Sequence, residues 1–377
     1  MMMLEHAGKR LLASAGVPVA QGIVIEASAV GGDALSAVTH FPVAVKAQVR
    51  SGGRGREGGV RRAKSPQELA AAVKAILATK FSGEQPESVL IEPWLAIERE
   101  AYLSVAVDGR AEGYVVMYAP QGGIDIEDGA PPARYPVGAP WNFRVHEMRQ
   151  VLQDVEPDYQ WREKVIALAQ RLVRTAAMHD CSTIEINPLV KLADGSLIAA
   201  DAKVARDEWA HFRNQEIHDL REAEKARSNR LLRDCLDMGH MYVRLEGDIG
   251  LISGGAGMTM GAMDMIAEQG GRPACFLDAS PGPTSTRGYR PALAMLDADE
   301  DVKVILVSVF GGGTQMQRVA NSMKDLMAER KSTKPIVFRL DGTNVDQVPD
   351  ILAGFGAHNH ARLEDAVTEA VRLARAV

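Results

Sequence analysis

Aromatic residues make up only 5% of this 377-residue chain, and just three residues are cysteines. So few rings leave little from which to build a base-stacking platform, which argues against single-stranded nucleic acid as a ligand. Cys181, Cys235 and Cys275 are odd in number and far apart, which excludes a disulfide framework and a CxxC metal site and makes a reducing cytoplasm the expected home. No apolar run nears the roughly 20 residues that span a bilayer. The opening MMMLEHAGKRLLASAG carries charge inside its apolar pattern and is expected to form an amphipathic helix rather than a signal peptide. The nine histidines are scattered, with no base or ligand at motif spacing, so none is assigned a catalytic role. A net charge of −6 adds little, and the basic cluster from Arg50 to Lys64 is interleaved with glycines, which suggests a phosphate-binding loop rather than a duplex-binding surface.

What is present is 46% hydrophobic and 24% charged, an ordinary globular composition long enough for two compact units. Residues 4–15 have helical spacing, and a strand is expected over VPVAQGIVIE before a Gly31-Gly32 turn. FPVAVKAQV reads as a buried strand running into SGGRGREGGV. Ser65 with Glu68 forms a capping-box pattern for a helix near 66–80. Strands are expected at VLIEPWL, REAYLSVAVD and GYVVMYA, an irregular loop over 122–140, and helices near 143–154 and 160–179. STIEINPLVKL and GSLIAADAKV form two strands joined by an Asp194-Gly195 hairpin turn. A charged helix near 214–233 leads to repeated strand–loop–helix units, the pattern of a doubly wound parallel sheet. The expected domains are 1–238 and 239–377.

Four constellations could carry chemistry. Lys46 beside Gly52, Gly53, Arg54, Gly55, Gly58 and Gly59 can set a fixed charge and bare N–H groups around a polyphosphate, although such loops also occur as surface turns. Glu185 and Asn187 share one strand face, and the hairpin can bring Asp201 opposite; such hard oxygen ligands suit Mg²⁺, which takes one or two protein oxygens plus phosphate oxygens. Glu92 and Glu100 flank a strand junction, where Glu92 could accept from a ribose or base. Gly254-Gly255-Ala256-Gly257 and Gly311-Gly312-Gly313 fall where strands give way to helices, so their N–H groups can hold an anion. No covalent nucleophile is evident.

Taken together and in this order, VAVKAQVRSGGRGREGGV, VLIEPWLAIEREAYLSV, STIEINPLV, AADAKVARDEWAHFR, GDIGLISGGAGMTMGAMDMI, ACFLDAS and VILVSVFGG make the chain resemble the succinyl-CoA synthetase beta-subunit family over nearly its whole length. The resemblance implies an N-terminal ATP-grasp domain and a flavodoxin-like CoA-ligase domain, an α/β and α+β combination. It implies an ATP-dependent acid–CoA ligase in which Lys46 and Gly53-Arg54-Gly55 contact the phosphates of ATP or GTP. Glu92 would lie on the adenosine side and Glu100, the catalytic candidate, near the triphosphate, with Asn187 and Asp201 holding Mg²⁺. Gly254, Gly255, Gly312, Gly313 and Thr314 would face the acid. The phosphorylated histidine and most of the CoA site would belong to an alpha subunit, which accounts for the missing nucleophile.

Three places depart from the family pattern. Gly254 replaces an asparagine that helps hold the acid, Gly313-Thr314-Gln315 replaces isoleucine-valine-arginine, and Ser280–Ser285 replaces three glycines with alanine-threonine. These fall on the acid side, so the acid is expected to be a relative of succinate such as malate, citrate or a sulfonated acid. An ATP-grasp carboxylate–amine ligase would explain residues 1–235 alone, and a non-catalytic regulatory subunit would not need to keep metal ligands.

Overall fold

In the computed structural model, residues 1–30, 33–123, 130–279 and 286–376 are described. The expected Gly31-Gly32 turn and the Ser280–Ser285 departure lie outside them. The chain forms two compact units, Met1–Arg221 and Glu222–Val377. The division falls upstream of residue 238, within the charged segment.

The first unit contains α1 (Glu5–Ser14), β1 (Ile23–Glu26), β2 (Val43–Ala47), β3 (Val60–Ala63), α2 (Pro66–Leu77), β4 (Ser88–Pro93), β5 (Ile97–Asp108), β6 (Gly113–Ala119), β7 (Ala133–Gly138), α3 (Val145–Leu152), α4 (Tyr159–Met178), β8 (Cys181–Leu192), β9 (Leu197–Ala199) and β10 (Lys203–Arg206). One sheet has the order β1-β4-β2-β3 and a second the order β10-β8-β5-β6-β7, with β9 also on β8. The odd-numbered residues Val43, Val45, Ala47, Val89 and Ile91 of the first sheet join Leu69, Val73 and Ile76 of α2 in one core. Ser65 caps α2 by accepting from the Glu68 N–H, as its capping box predicts. The opposite face of β2 and β4 carries Lys46 and Glu92.

Within 122–140, where an irregular loop was expected, Ala133–Gly138 is a strand. It is the edge of its sheet, where Pro136 costs no central ladder bond. The charged stretch is two helices, α5 (Gln215–Arg227) and α6 (Arg230–Asp237), separated at Asn229, which caps the second by accepting from the Leu232 N–H.

The second unit continues with β11 (Met241–Arg244), β12 (Ile249–Ser253), α7 (Ala256–Glu268), β13 (Cys275–Asp278), α8 (Thr286–Ala298), β14 (Val304–Gln315), α9 (Met316–Glu329), β15 (Ile336–Thr343), α10 (Val348–Ala353) and α11 (Leu363–Ala376). Its sheet order is β11-β13-β12-β14-β15, parallel except for the antiparallel edge β11. Leaving β11 aside, this is the flavodoxin-like order, whose switch point lies between β12 and β14. Apolar residues cover both faces, as a parallel sheet requires. No helix among the described residues is long and apolar enough to cross a membrane.

Candidate functional site

In the first unit six ionisable side chains from five segments converge. Glu5 and Lys9 are one turn apart on α1 and share the inward face with Leu12. Lys46 on β2 lies diagonally across from Glu92, because Ala44 pairs with Glu92 in the antiparallel register. Lys46 Nζ reaches Glu5 Oε1 at 2.9 Å and Glu92 Oε2 at 2.8 Å, and donates to the Ala200 carbonyl at 2.6 Å. Lys9 Nζ donates to the same carbonyl at 2.8 Å and reaches Glu5 Oε1 at 2.9 Å and Glu92 Oε1 at 2.6 Å. Arg54 turns inward from the glycine loop: it donates to the Ala47 carbonyl at 2.7 Å, to Glu5 Oε2, and to Asp201 Oδ1 at 3.2 Å.

Burial alone would push the Glu5 carboxyl up, but Lys46, Arg54 and Lys9 outweigh it and hold the group well below the usual carboxylate range. Lys46 is raised in return: burial opposes its charge, and Glu5, Glu92 and Asp201 more than compensate. Asp201 moves the other way, raised by burial and by the neighbouring Glu5 carboxylate. Three cations thus face three carboxylates. A polyphosphate entering this balanced set needs counter-charge of its own, which a divalent cation supplies.

The hairpin places the expected metal ligands opposite one another. Leu189 pairs with Ala199 on one side of the gap and Glu185 with Lys203 on the other, in the same register, so Asn187 faces Asp201 between them. Asn187 Oδ1 accepts from the Gly123 N–H at 2.6 Å, and its amide nitrogen donates to the Gly123 carbonyl at 3.2 Å. An amide oxygen has two lone pairs, so Oδ1 can keep this bond and still ligate a cation. Both bonds made by the Asp201 carboxylate, from the Ala202 N–H at 2.7 Å and from Arg54, use Oδ1. Among the described residues no group of three or more His, Cys, Asp or Glu could hold a metal. One amide oxygen and one carboxylate, set opposite each other, would suit an ion that takes its remaining ligands from phosphate and water.

Glu100 on β5 lies beside the same segment: a Cβ at Gly123 would stand 2.7 Å from Glu100 Oε2, and φ there is +99°. Burial raises the Glu100 carboxyl. Gly53 and Gly58 also take positive φ, so the turns of the glycine loop need residues without a Cβ. Glu92, expected to face a ribose or base, is instead only 3% exposed and engaged by both lysines. Glu5 and Lys9 stand outside every motif in the sequence; their one signal is that two charges share the helix face that also carries Leu12.

In the second unit, Gly254 and Gly255 lead from β12 into α7. The Gly255 N–H already donates to Asp278 Oδ1 at 2.7 Å, and its φ of +96° fits only glycine comfortably. Gly312 and Gly313 do not form a free loop after β14. They are a bulge within it: Gly311 pairs with Gly342 and Gln315 with Thr343, and the Thr343 hydroxyl donates to the Gly312 carbonyl at 2.6 Å. Thr314 is half-buried in the same bulge. Because β12 and β14 are neighbours, both glycine segments lie at the switch point, the place where ligands bind in such sheets.

A family model described as an ATP-grasp domain matches residues 2–191, and one described as CoA-ligase matches residues 252–377. The chain is 36% identical to a succinate–CoA ligase [ADP-forming] subunit beta of Thioalkalivibrio sulfidiphilus over 94% of this chain and 95% of the relative. It is 31% identical to such a subunit, beta 2, of Archaeoglobus fulgidus over the full length of both. A GDP-forming counterpart from Thermus thermophilus is 34% identical over 94% of each chain. Among solved structures, ATP citrate lyase of Methanothrix soehngenii, in complex with citrate and coenzyme A, shares the fold with a TM-score of 0.71, at 16% identity and covering 98% of this chain and 99% of that one.

Proposed function

Because the chain belongs to the beta-subunit family of succinate–CoA ligases, a family of ATP-grasp acid–CoA ligases, we propose that it is the nucleotide-binding subunit of an ADP-forming acid–CoA ligase. The observation that carries the reading is the charge-balanced cluster beside the Asn187–Asp201 hairpin gap. It offers cations and metal ligands for a nucleoside triphosphate, while neither His nor Cys is among its six side chains. The nucleophile is then a histidine on an alpha subunit, which also brings most of the CoA site.

Asn187 and Asp201 would hold Mg²⁺, which when bound offsets phosphate charge. Lys46, whose three N–H groups the free chain gives to Glu5, Glu92 and the Ala200 carbonyl, would turn toward the phosphates as the nucleotide enters, and the glycine loop would offer N–H groups as Arg54 anchors it from beneath. Glu100, with its carboxyl raised by burial, stands next to the metal-side segment at Gly123. The nucleotide is ATP, or GTP with GDP as the product. A carboxylate–amine ligase would leave the CoA-ligase portion without a role, and a purely regulatory subunit would leave the metal pair without one.

On the acid side, Gly254 carries the substrate reading. Among the described residues a Cβ there would meet only Val309 Cγ1, at an ordinary 3.5 Å, so the position has space for a side chain's first carbon, and the lack of a side chain leaves that room to a bulkier or differently substituted acid. The acid is succinate or a related dicarboxylate, hydroxy acid or sulfonated acid. Co-purification with the natural partner and a CoA-dependent ADP-release assay over succinate, malate, citrate and sulfonated acids tests this; succinate turning over best would sink the altered-substrate idea. Gly254→Asn is expected to shift the kcat/KM ratio toward succinate by about tenfold, the value of roughly one hydrogen bond. An unchanged order of acids would count against the role of this position.

A further inference from the structure

Four polar residues stand side by side across the second unit's sheet. In parallel register Asp278 of β13 pairs with Ser253 of β12, Ser253 with Ser308 of β14, and Ser308 with Arg339 of β15. Residues so paired project to the same face, and all four are buried. Two positions earlier on the same strands come Leu251, Leu306 and Val337, which pack into the core with α7 and α11. The sheet therefore changes from apolar to polar at the level of its switch point.

The two serines of this row lack partners, and Arg339 is only partly paired. Among the described residues the hydroxyls of Ser253 and Ser308 and the Nε and Nη1 of Arg339 are buried without a hydrogen bond. Among the described residues, the one hydrogen bond of the Arg339 side chain runs from Nη2 to Asp341 Oδ2 at 2.8 Å, and its guanidinium carbon lies 5.6 Å from the centre of the Phe310 ring. Leaving a buried guanidinium edge unpaired is costly, and alanine or valine would fill these positions without that cost. Two hydroxyls and a guanidinium fork offer the donors that the oxygens of a carboxylate or sulfonate require.

We propose that Arg339, with Ser308 and Ser253, forms an oxyanion subsite that reads the distal carboxylate or sulfonate of the acid whose other carboxylate is joined to CoA. This rests on the acid–CoA ligase reading above. Asp341 occupies the guanidinium in the free chain, and Asp278 at the far end keeps a bound anion on the Arg339 side. Phe310, 52% exposed, and Asp341 stand at the rim and are the side chains an entering anion displaces.

The test compares succinate with butyrate, which has the same chain length without the distal charge, in the co-purified complex. Arg339→Gln should raise KM for succinate by about tenfold to a hundredfold while leaving butyrate within about twofold. The Ser253→Ala/Ser308→Ala double variant should show the same split to a smaller degree, and it carries the test if Arg339→Gln does not fold. Equal effects on both acids, or none, overturn the subsite. Failure of every acid to drive ADP release would instead overturn the ligase reading. In that event the subsite is still decided by melting of the isolated chain: succinate should raise the wild-type midpoint and not that of the variants, and no shift in the wild type overturns it.

Discussion

Replacing Glu5 by glutamine is expected to lower the unfolding free energy of the first unit by about 3–5 kcal/mol, the cost of leaving buried charge without its partner. Glu5 is the hub of the cluster: its Oε1 serves Lys9 and Lys46 and its Oε2 serves Arg54. Glutamine keeps the volume and some hydrogen bonding but removes the negative charge, leaving three buried cations against Glu92 and the partly exposed Asp201. All four tryptophans, Trp94, Trp141, Trp161 and Trp209, lie in the first unit, so fluorescence-monitored urea unfolding reports on that unit alone. The pH dependence has a definite sign. A carboxyl held below its ordinary value of about 4.5 contributes stability that is full above that value and is lost as pH falls through the depressed folded value. The gap between wild type and Glu5→Gln should therefore be constant near neutrality and close on the acid side of pH 4.5. A difference below about 1 kcal/mol at neutral pH would mean that the cluster is a solvated set of pairs.

Asp201→Ala is expected to do the reverse: leave the fold nearly intact and remove function. Its carboxyl is raised by burial and by repulsion from Glu5, so its charge is held at a cost, and Arg54 keeps Glu5 and the Ala47 carbonyl when Asp201 is gone. Loss of a metal ligand removes several kcal/mol of charge stabilisation, so phosphate transfer from Mg·ATP should fall by about a thousandfold. Asp201→Asn, which keeps one ligand oxygen, should fall less and recover in part at high Mg²⁺. The check is the rate of partner phosphorylation as a function of Mg²⁺, with urea unfolding beside it. Phosphorylation within about threefold of wild type would remove Asp201 from the metal site.

Alternation of short apolar strands with helices was enough to identify the parallel sheet of the second unit, and the Asp194-Gly195 turn was enough to set Asn187 against Asp201 across a hairpin. β7 escaped because Pro136 and its Gly- and Asp-rich surroundings look like a loop until the strand is known to be an edge. Gly312 and Gly313 looked like a turn because a bulge and a loop have the same composition; only pairing of Gln315 with Thr343 distinguishes them. Glu5 and Lys9 were hidden because a charge on a helix face is usually solvated, and burial depends on β2, β4 and the Ala200 carbonyl, all distant in sequence. The glycines around Arg54 suggest a side chain that reaches out to phosphate; the inward carboxylates that claim its guanidinium are 49 residues before it and 147 after it.

The central claim is that this chain supplies the nucleotide half of a ligase whose nucleophile is elsewhere. Incubating the co-purified complex with Mg²⁺ and γ-labelled ATP tests it directly. Label is expected on a histidine of the partner, dependent on this chain and discharged by CoA together with the acid; label retained on this chain, or ADP formed with the partner never labelled, would contradict the claim.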